Sequence, residues 1–177
     1  MRCTEKLAVV AYEPNTDISS VLAAALGCLR HRGIRLAGLL QGFGEILPNG
    51  KRAMWVDDLQ TGQRLRLDSP RGPGATACVL DPDALARAAC ILQRAIGTQA
   101  ELICISRFGR EEASGRGMRA EIADAILSGT AVLIPVRGAL LGDLEAFLGH
   151  PASLVAAREA AIVTWAELAA GVHPALA

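Results

Sequence analysis

The sequence predicts an α/β domain: a three-layer, open, mainly parallel sheet with helices on both faces and a β-hairpin insertion. Short apolar runs of strand length alternate with segments whose apolar residues recur at helical spacing. The runs are apolar along their whole length, as strands covered on both faces require. At 177 residues the chain suits one domain, 1–177, with a full core and no internal repeat or linker.

Taken in order, KLAVVAY (6–12) reads as a short buried strand. A helix follows from about Asp17 to Arg32, with Ile18, Val21, Leu22, Ala25, Leu26 and Leu29 on one face. Thr16 or Asp17 can cap its start and Gly33 its end. IRLAGLLQ (34–41) is the next strand. MWVDDL and RLRLDS then flank QTGQ as a small hairpin, about 52–68, expected to protrude and to offer a homodimer contact. The loop PRGPGATA precedes Asp81, which caps a helix carrying Pro82 at its first position and stopping at Gly97.

AELICIS (100–106) is a strand, and a polar loop leads from it to a helix bearing Met118, Ile122, Ala125 and Ile126 up to Gly129. TAVLIPV (130–136) is a further buried strand, and LGDLEAFLG a short helix. In the tail, ASLVA fits an edge strand before a last helix through Trp165.

Eighteen basic and eighteen acidic residues cancel, which argues against nucleic acid or an anionic membrane as partner. Any electrostatic role must be local. The N-terminus is too short and charged for a signal peptide, and no run approaches the ~18 apolar residues of a membrane span. A soluble, cytoplasmic protein is expected. The five cysteines form no C-x-x-C pair and no ligand spacing with histidine, so no metal site is indicated. Cys28, Cys90 and Cys104 fall in apolar patterns and read as buried thiols. Lysine occurs only at positions 6 and 51, so the basic side chains are almost all arginine. A GC-rich genome gives that bias without function, although converging arginines also suit bidentate anion recognition.

Ligands of open parallel sheets bind beyond the carboxyl ends of the strands. Four loops leave such ends here, after Tyr12, Gln41, Ser106 and Val136. The first is where a phosphate-binding GxxxxGK[ST] loop would lie. In that register Ala11 and Thr16 stand at its glycines, Asp17 at its lysine and Ile18 at its Ser/Thr. Every diagnostic position is lost. The loop lacks the cation for the β/γ-phosphates and the hydroxyl for magnesium, and Glu13 and Asp17 would repel a triphosphate.

RHRGIRLAGLLQ, DLQTGQRLRL, GPGATACVLD and above all RFGREEASGRGMRAEIADAILSGTAVLIPV carry a likeness that runs through nearly the whole chain. They resemble an uncharacterised bacterial family similar to small P-loop nucleoside-triphosphatases with a degenerate phosphate loop. Some members are encoded near molybdate-transport genes. The resemblance implies a P-loop-NTPase-like fold and a link to molybdenum metabolism. In active enzymes of that kind a similar strand ends in acidic residues that serve the metal. Here it ends Cys104-Ile105-Ser106-Arg107, which speaks against hydrolysis.

The loop ISRFGREEASGRGMR (105–119) is the first candidate site. Gly115 and Gly117 permit turns that aim successive N–H groups at an anion. Arg107, Arg116 and Arg119 could converge on phosphate, a nucleotide, molybdate or tungstate near a helix N-terminus. Glu111 and Glu112 could instead pair with these arginines in a structural network. The loop 69–81 is the second candidate: Arg71 could close over an anion, while its Gly-Pro-Gly also reads as a plain turn and Asp81 as a plain cap. Gln41, at a strand end, could bond a ligand or neighbouring backbone.

The leading expectation is a non-hydrolytic binding protein for an oxyanion or nucleotide, accessory to molybdenum metabolism where the resemblance applies. The first alternative is a divergent magnesium-dependent nucleotide hydrolase or transferase using Glu111 or Glu112. The second is a partner-binding domain with a decayed site.

Overall fold

The computed structural model describes residues 6–48, 50–69 and 79–171. Their order is β1 (Leu7–Tyr12), α1 (Ile18–His31), β2 (Leu36–Ile46), β3 (Arg52–Asp58), β4 (Arg64–Arg66), β5 (Asp68–Ser69), β6 (Val79–Leu80), α2 (Pro82–Ile96) and β7 (Leu102–Cys104). Then come α3 (Arg110–Ala113), α4 (Arg119–Leu127), β8 (Ala131–Arg137), a 3-10 turn (Gly138–Leu140), α5 (Leu141–Leu148) and α6 (Glu159–Ala170).

The main sheet has the order β1-β8-β7-β2-β3-β4. β1, β8, β7 and β2 run parallel, while β3 and β4 add antiparallel neighbours beyond β2. The four parallel strands coincide with the four apolar runs of the sequence. On the outer side of β1, the Val9 N–H donates to Ser153 O and the Val155 N–H to Val9 O, each at 2.9 Å. The ASLVA segment thus lies at the sheet edge as a single parallel bridge, Val9 to Leu154.

Alternation along each strand divides the core. Leu7 and Val9 of β1 join one apolar cluster with Ala84, Ala88 and Leu92 of α2, Ile122 of α4 and Leu144 of α5. Ala8 and Val10 join the other, with Leu22, Ala25 and Leu29 of α1 and Ile162 and Ala166 of α6. Helices therefore cover both faces, the P-loop-NTPase-like α/β arrangement that the sequence predicts.

The helix signals operate as expected. Asp17 caps α1 by accepting from the Ser20 N–H at 3.2 Å, and Gly33 follows the helix at φ +84°. Asp81 caps α2 by accepting from Asp83 N at 2.9 Å and Ala84 N at 3.3 Å, with Pro82 first in the helix. Of the cysteines, Cys104 is buried, and burial pushes its thiol up to about 12. Cys28 is half-buried and Cys90 exposed, which corrects the reading of all three as core thiols. The buried stripe of α2 runs through Ala84, Ala88, Leu92 and Ala95, and Cys90 falls outside it.

The hairpin also differs from expectation. Its two strands form around the QTGQ turn, but β2 continues past Gln41 to Ile46 and pairs with β3. The hairpin thus widens the sheet and does not protrude as a separate arm. Glycines 42 and 44 suggest a strand end, yet a Cβ at Gly44 would stand 2.6 Å from Trp55 Nε1. Glycine there makes room for the indole across the ladder. Buried Asp58 accepts from Gln60 N at 2.9 Å, Thr61 Oγ1 at 2.8 Å and Arg94 at 2.8 Å, tying the hairpin turn to α2.

At the sheet centre, Gly38 has φ +93°, and a Cβ there would overlap the Cys104 carbonyl oxygen on neighbouring β7. Gly38→Ala would combine left-handed strain with overpacking, so it should destabilise by about 2–4 kcal/mol. The urea-unfolding midpoint checks this.

Candidate functional site

Parallel pairing gathers four strand ends. Tyr12 stands opposite Arg137 at the ends of β1 and β8, with Ser106 and Arg107 following β7 and Gln41 midway along the extended β2. Two adjoining cavities, about 310 and 540 Å³, share Tyr12, Gln41, Ser106, Arg107 and Arg137 as lining.

The smaller cavity reaches toward α3, where Arg110, Glu111 and Glu112 meet an apolar floor that includes Leu67, Leu85, Phe108 and Met118. The larger opens between the start of α1 and the β2–β3 strands. Thr16, Asp17 and Ser19 line one side, and Phe43, Lys51, Arg52 and Met54 the other. Among the described residues, the lining of the larger cavity includes Lys51, Arg52, Arg107 and Arg137 and one carboxylate, Asp17. That carboxylate is already engaged: the Ser20 hydroxyl donates to it at 2.7 Å and holds its pKa below the usual range.

Arg107 has no carboxylate partner among the described residues; its guanidinium meets only the Met54 sulfur, at 3.7 Å. Arg137 makes no ion pair among them either. Gln41, on β2 beside β7, shares both linings with them; it is 6% exposed, and its buried Nε2 has no hydrogen-bond partner among the described residues. A buried amide donor left unpaired costs about 1–3 kcal/mol. A ligand oxygen would remove that cost.

The glycine-arginine loop is built for another purpose. Glu112 is 5% exposed, and its two oxygens accept from the Gly109 N–H at 2.9 Å and the Met118 N–H at 3.0 Å. One carboxylate thereby caps α3 and holds the entry to α4. Gly117, at φ +63°, leaves space for it, since a Cβ there would overlap Glu112 Oε1. Arg119 donates to the Glu112 carbonyl at 2.8 Å and lies over the Phe147 ring at 4.4 Å. Arg116 projects outward and pairs with Glu111 at 3.0 Å, an interaction that lowers the Glu111 pKa.

The structure therefore brings Gln41 and Arg107 together, with Glu111 and Glu112 beside the smaller cavity. It does not bring Arg116, Arg119, Gly115 or Gly117 into either lining, so the expected convergence of Arg107 with Arg116 and the 115–117 backbone is not found. The buried Glu112 satisfies the inside of the loop, Arg116 projects outward to Glu111, and Arg119 is held between the Glu112 carbonyl and the Phe147 ring. Arg71 lies outside the described residues. Sequence reasoning passed over Arg137, although it directly follows the strand end at Val136. Phe43, Lys51 and Arg52 carry no signal in the sequence, where the apolar run of β2 stops at Gln41.

Among the described residues, no group of three or more His, Cys, Asp or Glu side chains could hold a metal ion. No helix among them is long and apolar enough to cross a membrane.

Comparison with known proteins follows this geometry. The chain belongs to the family described as protein of unknown function (DUF2478), which matches residues 7–165. It is also 36% identical over 131 residues to a molybdenum import ATP-binding protein, ModC 2, of Bradyrhizobium diazoefficiens. That match takes in 74% of this chain but only 15% of the relative's length. No solved structure gives a significant match.

Removing the two buried acceptors should matter more than removing the exposed arginine. Glu112→Ala should cost about 2–4 kcal/mol in urea unfolding by leaving backbone donors unpaired. Arg116→Ala should leave the midpoint almost unmoved, since exposed ion pairs contribute little.

Proposed function

We propose that this DUF2478 member is a non-hydrolytic binding protein for an oxyanion or nucleotide, acting in the cytoplasm as an accessory to molybdenum import. One observation carries the binding part: among the described residues, Arg107 and Arg137 have no carboxylate partner and share a cavity with the unpaired Gln41 amide, at the end of a parallel sheet. Guanidinium groups recognise oxyanions through short, charge-assisted bonds, and the sheet end is where such folds place ligands. The metabolic part rests on the name of the molybdenum import relative. Because the match covers a small part of that protein, its transport activity belongs to the proposal only as context.

Two features support binding without hydrolysis. Asp17 stands at the position of the phosphate-loop lysine, and β7 runs into Ser106 and Arg107 where a metal-serving carboxylate would be needed. The carboxylates nearest the site are already committed. Glu112 holds two backbone donors, and Glu111 holds Arg116. A divergent hydrolase using either would have to break those contacts.

A melting-temperature screen with phosphate, molybdate, tungstate, ADP and ATP tests the reading, because a ligand of the native state raises apparent stability by mass action. At least one anion should raise the midpoint. Arg107→Ala should weaken its binding by roughly tenfold to a hundredfold, the loss of a charge-assisted bond. ATP turnover with magnesium should stay at background. Sustained turnover abolished by substituting Glu111 or Glu112 would favour the hydrolase reading.

A further inference from the structure

We infer that the larger cavity takes an organic anion in its metal-free form, with a planar ring resting on Phe43 and the anionic group held by Arg107 and Arg137 beside the Gln41 amide. The inference rests on the anion seat proposed above and specifies what is attached to the anion.

Size gives the first argument. A cavity of about 540 Å³ falls within the ~300–1,000 Å³ usual for organic ligands. A bare tetrahedral oxyanion is about the size of two waters at ~30 Å³ each, and would leave most of that space unfilled. The ligand must extend.

The aromatic side chains give the second. The chain has three Phe, two Trp and one Tyr, and the larger cavity takes both Tyr12 and Phe43 into its lining. Phe43 is 44% exposed, an unusual position for a scarce and strongly apolar side chain. Its cross-strand partner is Met54, which lines the same cavity and contacts Arg107 through its sulfur. A half-exposed ring beside a cluster of cations is the arrangement that receives a stacked heterocycle while its charged group is held further in. Ile46, the neighbouring exposed apolar residue of β2, lies outside the lining.

Charge gives the third. Four basic residues line the cavity against Asp17, which is bound to Ser20. Among the described lining residues, a divalent cation would meet Arg107 and Arg137, which make no ion pair, and a carboxylate, Asp17, that is already engaged by Ser20. Arg107 and Arg137 would supply the charge that magnesium supplies to a phosphate elsewhere, so metal and protein compete for the same ligand oxygens.

Titration calorimetry on the full chain tests this, with ADP, GDP and UDP in EDTA, the same nucleotides in excess magnesium, ribose 5-phosphate, and molybdate. At least one nucleotide should bind tenfold or more tightly than ribose 5-phosphate, in keeping with the stacking contribution of one aromatic side chain. Phe43→Ala should bring that nucleotide close to the affinity of ribose 5-phosphate, while Phe43→Tyr should retain most of the difference. Excess magnesium should weaken nucleotide binding severalfold. Equal binding of ring-bearing and ring-free anions, an unaltered preference in Phe43→Ala, or tighter binding with magnesium would overturn the inference and leave the anion seat standing. If no anion binds, or if Arg107→Ala binds every anion as the native chain does, the proposed function itself fails.

Discussion

The parallel pairing of β1, β8, β7 and β2 is the constraint on which the rest of the molecule depends. Four neighbours that run the same way place four carboxyl ends along one edge, and each chain exit there is a loop or helix start. Because helices cover both faces, the strands are apolar throughout their buried length, and their chemistry appears where burial stops. Tyr12, Ser106, Arg107 and Arg137 occupy those stopping points. Gln41 is polar inside the sheet because β2 runs on past its neighbours. The site is thus a consequence of where the apolar code ends on each strand.

Two buried acidic groups show how the surrounding segments are fixed. Glu112 accepts with both its oxygens from backbone donors nine positions apart, Gly109 and Met118, and so pins the segment between β7 and α4 around the short helix α3. Asp58 does the same for the β3–β4 turn, with Arg94 reaching from α2 to complete its shell. Buried carboxylates are tolerated only with such full sets of partners. Their engagement in structure also takes them out of the pool of groups available for chemistry, and leaves arginines as the free charges at the strand ends.

The strands and helices were legible because each had a signal of one kind along its length. The β1, β7 and β8 runs are apolar without alternation, and Asp17, Asp81 and Pro82 mark helix starts by local hydrogen bonding that needs no distant partner. The candidate site was legible only in part. Its location at the strand ends, with Gln41 and Arg107, followed from the fold class. Which arginines of 105–119 face inward did not, because that depends on the buried Glu112 carboxylate, a contact between loop and helix that periodicity does not encode. The extension of β2 was hidden by Gly42 and Gly44. Glycine reads as a strand end, whereas here Gly44 accommodates Trp55 from the neighbouring strand. With that extension came Phe43, Lys51 and Arg52.

The carboxylate of Asp17 at the start of α1 and the arginine that follows β7 fix the electrostatics of the larger cavity together. A metal-dependent phosphate site needs carboxylates near the metal and a cation along the phosphate chain. Here the signs are reversed: the carboxylate sits at the start of α1, and the cations sit at the ends of β7 and β8. Asp17 is satisfied by Ser20 and caps α1, whose apolar face packs in one of the two core clusters. Asp17→Lys would remove that cap, worth about 1 kcal/mol, and place a further cation in the cavity with Arg107 and Arg137. Metal-dependent phosphate chemistry at this cavity would therefore need different side chains at two strand ends and a helix start. The same distribution of charge is self-consistent for holding an anion directly.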